Sequence, residues 1–207
     1  LLKAQLEPRG YSITFATTGK QAITAVRAVR FDAIILDILL GDMRGDEVSA
    51  EIRQHEVGSL ATPILGLTAF RRDELQANVV DAFDLLLEKG TDASALVARL
   101  DLAVACGRIR RDSKRPVIDE TTLARLPARN REALLDLFVI ELENGLRALD
   151  KATSEAALVA ACHALAGVAA NYGADRVATC ARLVHKFAAD SVARPFASRY
   201  LAEEIRT

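Results

Sequence analysis

Asp37, Thr68 and Lys89 each close a short apolar run: Phe31-Asp-Ala-Ile-Ile-Leu-Asp37, Pro63-Ile-Leu-Gly-Leu-Thr68, and Asp84-Leu-Leu-Leu followed by Glu88-Lys89. In parallel α/β sheets, ligands bind outside the carboxyl ends of the strands, so these three side chains can converge on one volume. A carboxylate, a hydroxyl and an ammonium together suit an anionic group. The carboxylate can serve as nucleophile, while hydroxyl and ammonium stabilise phosphoryl oxygens during in-line transfer. Mg²⁺ would offset repulsion between that carboxylate and an incoming phosphoryl group. His163 is a second candidate, with Gly167 one turn along the same helix face. A mid-helix glycine costs about 1 kcal/mol relative to alanine, which makes sense where a partner must approach the imidazole closely. Taken alone, Asp37 reads as a helix-capping carboxylate and His163 as a structural histidine; the residues in register with them favour chemistry. His55 and His185 read as surface residues.

Alternating patterns must position the first three residues. A helix end over 1–7 is closed by Pro8 and Gly10, and Tyr11–Ala16 alternates polar and apolar residues as a strand does. Helices are expected over about 18–30, 46–54, 72–80 and 93–105, with buried strands at 31–37, 63–68 and 84–87. Strands alternating with helices imply a parallel sheet with helices on both faces. Residues 106–116 then read as a basic linker, because Arg108, Arg110, Arg111, Lys114 and Arg115 cluster between Gly107 and Pro116. Beyond it no strand pattern remains. Helical stretches at about 119–126, 129–150, 154–171, 173–190 and 196–206 suggest a four-helix bundle core.

The ordered set Phe31–Asp37, Gly45, Gly66-Leu-Thr68-Ala69 and Leu86-Leu-Glu-Lys89 resembles the receiver domain of response regulators, over about residues 1–105. The resemblance implies a flavodoxin-like, doubly wound parallel sheet of strand order 2-1-3-4-5. It also implies Asp37 as phosphoacceptor, Thr68 as switch hydroxyl, Lys89 as the phosphoryl-contacting cation, and Mg²⁺ bound by Asp37 and the Leu39 backbone carbonyl. Three departures stand out. Gly41 and Gly90 occupy positions where the family has proline. The family's first strand, which supplies an acidic pair for the metal, is absent from this sequence, and Asp42 and Asp46 on the following loop are poor replacements.

The stretch Cys-His163-Ala-Leu-Ala-Gly167-Val-Ala-Ala-Asn171-Tyr-Gly173-Ala174 resembles the motif of histidine-phosphotransfer (HPt) domains, and the likeness covers about residues 117–207. It implies that His163 takes a phosphoryl group from an aspartyl phosphate and returns it to another aspartate, with Gly167 giving access. Ala166 stands where that family commonly has lysine. Together the two resemblances imply an α/β receiver followed by an all-α HPt bundle in a two-component phosphorelay. Its partners would be a histidine kinase core, upstream or in trans, and a downstream response-regulator receiver. The chain would then be a phosphotransfer intermediate or the C-terminal part of a hybrid histidine kinase. No glycine-rich nucleotide-binding segment is visible.

The composition narrows the alternatives. With 51% apolar and 27% charged residues and a net charge of −1, nothing favours nucleic acid or an anionic membrane. No apolar run reaches a membrane span, no signal peptide is visible, and Cys106, Cys162 and Cys180 show no disulfide or zinc spacing. A cytoplasmic protein is expected. Two other classes remain: a pseudo-receiver and HPt scaffold acting by protein contact alone, and an aspartate-nucleophile phosphatase or dehalogenase. The latter resemble Asp-x-Asp, whereas position 39 is leucine.

Overall fold

A computed structural model describes residues 2–55, 62–111 and 118–206 of the chain. Two compact units are present, Leu1–Arg111 and Asp112–Thr207.

The first unit begins with α1 (Leu2–Leu6) and a 3₁₀ turn (Glu7–Arg9) ended by Gly10, whose φ of 83° lies in the left-handed region. It continues through α2 (Gly19–Ala28), β1 (Ile34–Asp37), α3 (Gly45–His55), β2 (Ile64–Thr68), α4 (Ala77–Asp81), β3 (Leu85–Glu88) and α5 (Ala93–Arg111). The sheet has three parallel strands in the order β1-β2-β3, with Asp37 paired to Leu67 and Thr68 to Glu88. Parallel pairing buries both faces of the central strand. On one side Ile23, Leu36, Ile38, Val48, Ile52, Ile64, Val79, Phe83 and Leu86 form a core. Leu65, Leu85 and Leu87 alternate with these along their strands and are also buried.

Three expectations for this unit are corrected. Tyr11–Ala16 is not a strand: its burial alternates in part, but among the described residues no strand pairs with it or with the outer edge of β1. The helix expected over 72–80 divides into a 3₁₀ turn (Arg72–Glu74) and the short α4, because Leu75 and Gln76 are extended and only Val79 is buried. Helix α5 runs on to Arg111, through much of the expected linker. There the Gly107 backbone closes on the Asp32 carbonyl and Pro63, and Arg108 pairs with Asp32 at 3.0 Å. These tertiary contacts outweigh the local charge. The rest of the expected linker lies outside the described residues.

The second unit is all-helical: α6 (Glu120–Arg125), α7 (Arg131–Asp150), α8 (Glu155–Asn171), α9 (Asp175–Lys186) and α10 (Ala193–Arg206). Helix α7 packs against α8 and α10, α8 against α9, and α9 against α10, which closes a cycle of four helices. Leu158, Ala161, Cys162, Leu165 and Ala169 form the buried stripe of α8, at the spacing of one helix face. Gly145 of α7 lies so close to Leu165 that a Cβ there would be 2.2 Å from its Cδ2. Pro195 does not break α10. It falls in the first turn, where no helical N–H is required, and Asp190 accepts from Val192 N and Ala193 N, each at 2.9 Å.

The turn after α8 is braced from two sides. Gly173 has φ +72°, and Ala174 N donates to Ala169 O at 2.8 Å, ending the helix in a left-handed cap. Tyr172 stacks on Phe138 with ring centroids 4.5 Å apart. Asp119, the N-cap of α6, donates its N–H to Gly173 O at 2.9 Å. Hydrogen bonds from the Thr121 and Thr122 hydroxyls hold the Asp119 carboxyl down at about 2.

Candidate functional site

Asp37 is the last residue of β1, and the chain turns sharply behind it. Gly45 N donates to Ile38 O at 2.8 Å, and a Cβ on Gly45 would lie 2.3 Å from the Asp37 carbonyl oxygen. Only glycine lets α3 begin this close to the strand end. Within the loop, Leu39 N donates to Asp37 Oδ1 at 3.0 Å.

Lys89 follows β3 and belongs to a tight turn. Its N–H donates to Thr68 O at 2.6 Å, and Thr91 N donates to Glu88 O at 3.0 Å. Gly90 adopts φ +100° in that turn, a value closed to proline. The departure from proline at position 90 is therefore a different turn and not merely a looser loop. From it, Lys89 Nζ reaches across β2 to Asp37 Oδ2 at 2.5 Å, with the side chains 47% and 31% exposed.

Thr68 ends β2, between these two, and is 2% exposed. Its hydroxyl turns to the backbone two residues on, accepting from Phe70 N at 2.9 Å and donating to Phe70 O at 3.3 Å. The structure thus joins Asp37 to Lys89 directly and leaves the Thr68 hydroxyl engaged beside them. Leu39 and Phe70 stand exposed at the rim.

The fit to a divalent cation is incomplete. Mg²⁺ demands near-octahedral oxygen coordination, with carboxylates among its ligands. Of the residues expected to hold the cation, Asp37 has Oδ2 paired with Lys89 and Oδ1 accepting from Leu39 N. Asp42 instead accepts from Gly19 N at 2.7 Å and Lys20 N at 3.2 Å, and Asp46 pairs with Arg44 at 3.0 Å. Among the described residues no group of three or more His, Cys, Asp or Glu could hold a metal. By themselves these residues do not make a metal site.

His163 lies on the exposed face of α8, opposite the buried stripe. Gly167 is also exposed, and a Cβ there would meet nothing within 4 Å. Among the described residues no packing requires glycine at this position. The neighbouring Cys162 is 0% exposed, and burial pushes its thiol up to about 11, so it is an inert packing group. His55 is exposed beside Arg27, with Nε2 2.6 Å from an arginine nitrogen, and His185 is exposed on α9; neither approaches the groups above through any bond in the structure.

The sequence marks Asp42 only as an acidic loop residue and gives no sign of its contact with the start of α2. Its two partners are backbone N–H groups more than twenty residues away, which no local spacing announces. Among the described residues no helix is long and apolar enough to cross a membrane.

Residues 1–101 match the sequence family described as response regulator receiver domain. The aerobic respiration control sensor protein ArcB of Escherichia coli (strain K12) is 28% identical over 139 residues, covering 67% of this chain and 17% of that protein. The transcriptional regulatory protein ZraR of the same strain is 32% identical over 107 residues, 51% of this chain and 23% of its own length. The transcriptional regulatory protein KdpE of Mycobacterium tuberculosis (strain ATCC 25618 / H37Rv) is 31% identical over 119 residues, 57% of this chain and 51% of its own. The chain spans at most about half the length of these relatives. Residues 1–101 are a response regulator receiver domain, the module of two-component signalling.

Proposed function

We propose that the chain is a phosphorelay component in which Asp37 accepts a phosphoryl group and His163, on an HPt-type bundle, exchanges it with Asp37 and with a further receiver. The observation that carries the reading is the Asp37–Lys89 pair, a nucleophilic carboxylate with a cation already beside it at the strand ends of a receiver domain. A carboxylate oxygen of Asp37 attacks the phosphorus of a phosphohistidine on the kinase core in line, the P–N bond breaks and the imidazole leaves, while Lys89 and Thr68 take up charge on the phosphoryl oxygens. The imidazole of His163 then displaces that carboxylate at phosphorus, and the phosphoryl group passes on from nitrogen to another aspartate. Both carriers are labile, so transfer depends on positioning more than on acid–base help.

Support for the second half is its accessibility: an exposed imidazole with open space at Gly167 one turn away. The 139-residue likeness to a sensor protein is longer than the receiver match, so it reaches beyond residue 101. The partners in this reading are a histidine kinase core and a downstream receiver. In this reading Mg²⁺ would be held by Asp37 and the Leu39 carbonyl and would offset the charge of the incoming phosphoryl group.

Leu39 and Phe70, exposed apolar side chains at the rim of the site, favour a second reading, a pseudo-receiver and HPt scaffold that acts by protein contact without phosphorylation. Labelled kinase core offered to wild type, Asp37→Asn and His163→Gln separates the two. The relay expects label on both residues in wild type and none on His163 in Asp37→Asn. Label on His163 without Asp37 defeats the intramolecular order, and label on neither leaves the scaffold.

A further inference from the structure

We propose that Asp42 is a positioning residue for the Asp37 carboxylate, acting by pinning the β1–α3 loop to the start of α2. The proposal rests on the reading of Asp37 as phosphoacceptor.

Helix α2 already carries its own cap. Thr18 Oγ1 accepts from Gln21 N at 3.2 Å, and Gln21 Oε1 accepts from Thr17 N at 2.9 Å. Thr18 thus satisfies the Gln21 N–H inside the helix, while Gln21 braces the residue before the cap. Asp42 takes the two remaining N–H groups of the first turn, on Gly19 and Lys20, from a loop distant in sequence. The same two bonds therefore complete the helix cap and tie the loop to it.

The rest of the contact agrees. A Cβ on Gly19 would lie 2.6 Å from Val48 Cγ2 and 3.2 Å from Met43 Cβ, so the start of α2 is seated directly on the loop and on α3. At its far end the loop is closed by Gly45 against Asp37 and Ile38. Between these anchors lies Leu39, whose N–H orients Asp37 Oδ1. Release of the Asp42 anchor frees Leu39 to move, and with it the carboxylate that must meet phosphorus in line. The hydrogen bond from Gly19 N, the largest cause, holds the Asp42 carboxyl below the usual range, so the anchor is ionised at neutral pH.

The test compares the full chain with Asp42→Ala and Asp42→Asn. Three quantities are read: amide exchange at Leu39, the initial rate of Asp37 labelling by acetyl phosphate, and the global unfolding midpoint. Asp42→Ala is expected to speed exchange at Leu39 and to slow labelling roughly ten- to a hundredfold, the scale of a small misplacement of a reacting group. A modest fall in the midpoint accompanies this, because the part-buried Gly19 N–H loses its acceptor. Asp42→Asn, whose one amide oxygen can still accept from Gly19 N, is expected to fall between. Faster exchange at Gly19 and Lys20 with Leu39 exchange and labelling unchanged would mean a helix cap only, and overturns the proposal. Faster Leu39 exchange in Asp42→Ala with no Asp37 label in any variant supports the pin and refutes the phosphoacceptor reading.

Discussion

Lys89 Nζ lies 2.5 Å from Asp37 Oδ2, although the two residues end strands that are separated by β2. Strands spaced about 4.8 Å apart put the two backbones roughly 10 Å from each other, so only a long side chain closes the gap. Both groups remain partly in water, and an ion pair so exposed contributes about 0–1 kcal/mol. Lys89→Ala is therefore expected to leave urea unfolding of the first unit within that margin. Acetyl-phosphate labelling of Asp37 should fall roughly 100-fold, as when one transition-state donor is removed. A loss of labelling matched by a large loss of stability would make Lys89 a structural residue instead.

Gly167→Ala separates stability from function in the second unit. With nothing within 4 Å of the added methyl, the substitution gains helix propensity at no steric cost. Unfolding free energy should rise by about 1 kcal/mol. Transfer to and from His163 should slow roughly tenfold, because the methyl stands where the partner must approach. Unchanged transfer would remove the access role from this glycine.

Gly45→Ala acts in the opposite sense. Its methyl would meet the Asp37 carbonyl oxygen at 2.3 Å and Ile38 Cα at 2.9 Å, and backbone atoms cannot swing aside. A destabilisation on the order of 1–3 kcal/mol is expected in chemical denaturation, with displaced amide resonances at Ile38 and Leu39.

The strand ends are legible because each is a short apolar run closed by polar residues, which marks Asp37, Thr68 and the Glu88-Lys89 pair. The engagement of Thr68 with Phe70 is not, since a hydroxyl's choice of partner depends on loop geometry. Tyr11–Ala16 carried a strand-like alternation, but a strand is a property of pairing, and no neighbour stands beside it among the described residues. Gly107 and Arg108 read as linker by composition, but Pro63 and Asp32 pack and pair against them. In each miss the deciding contact is distant in sequence.

Cys162, adjacent to His163 in sequence, is expected to be chemically silent. Burial pushes its thiol to about 11 and it is 0% exposed, so little thiolate forms and little reagent reaches it. An aromatic disulfide reagent at pH 8 should modify Cys162 in the native chain no faster than the protein unfolds. Rapid modification followed by loss of His163 labelling would show instead that the buried face of α8 opens.

Tyr11 ties the segment after α1 to helix α5 by donating its hydroxyl to Asp101 Oδ1. Burial, followed by the hydrogen bond and charge of Asp101, raises its pKa from 10.0 to about 12. The folded state therefore keeps a proton that the unfolded chain releases from about pH 10 upward. This contribution to stability is fully present below pH 10 and is lost as pH rises from 10 towards 12. In an absorbance titration, the difference between wild type and Tyr11→Phe should show one phenol ionising near pH 12. Tyr11→Phe should be less stable at neutral pH and lack this part of the alkaline loss. A difference midpoint near 10 would mean that the phenol is solvated and that the segment is not docked on α5.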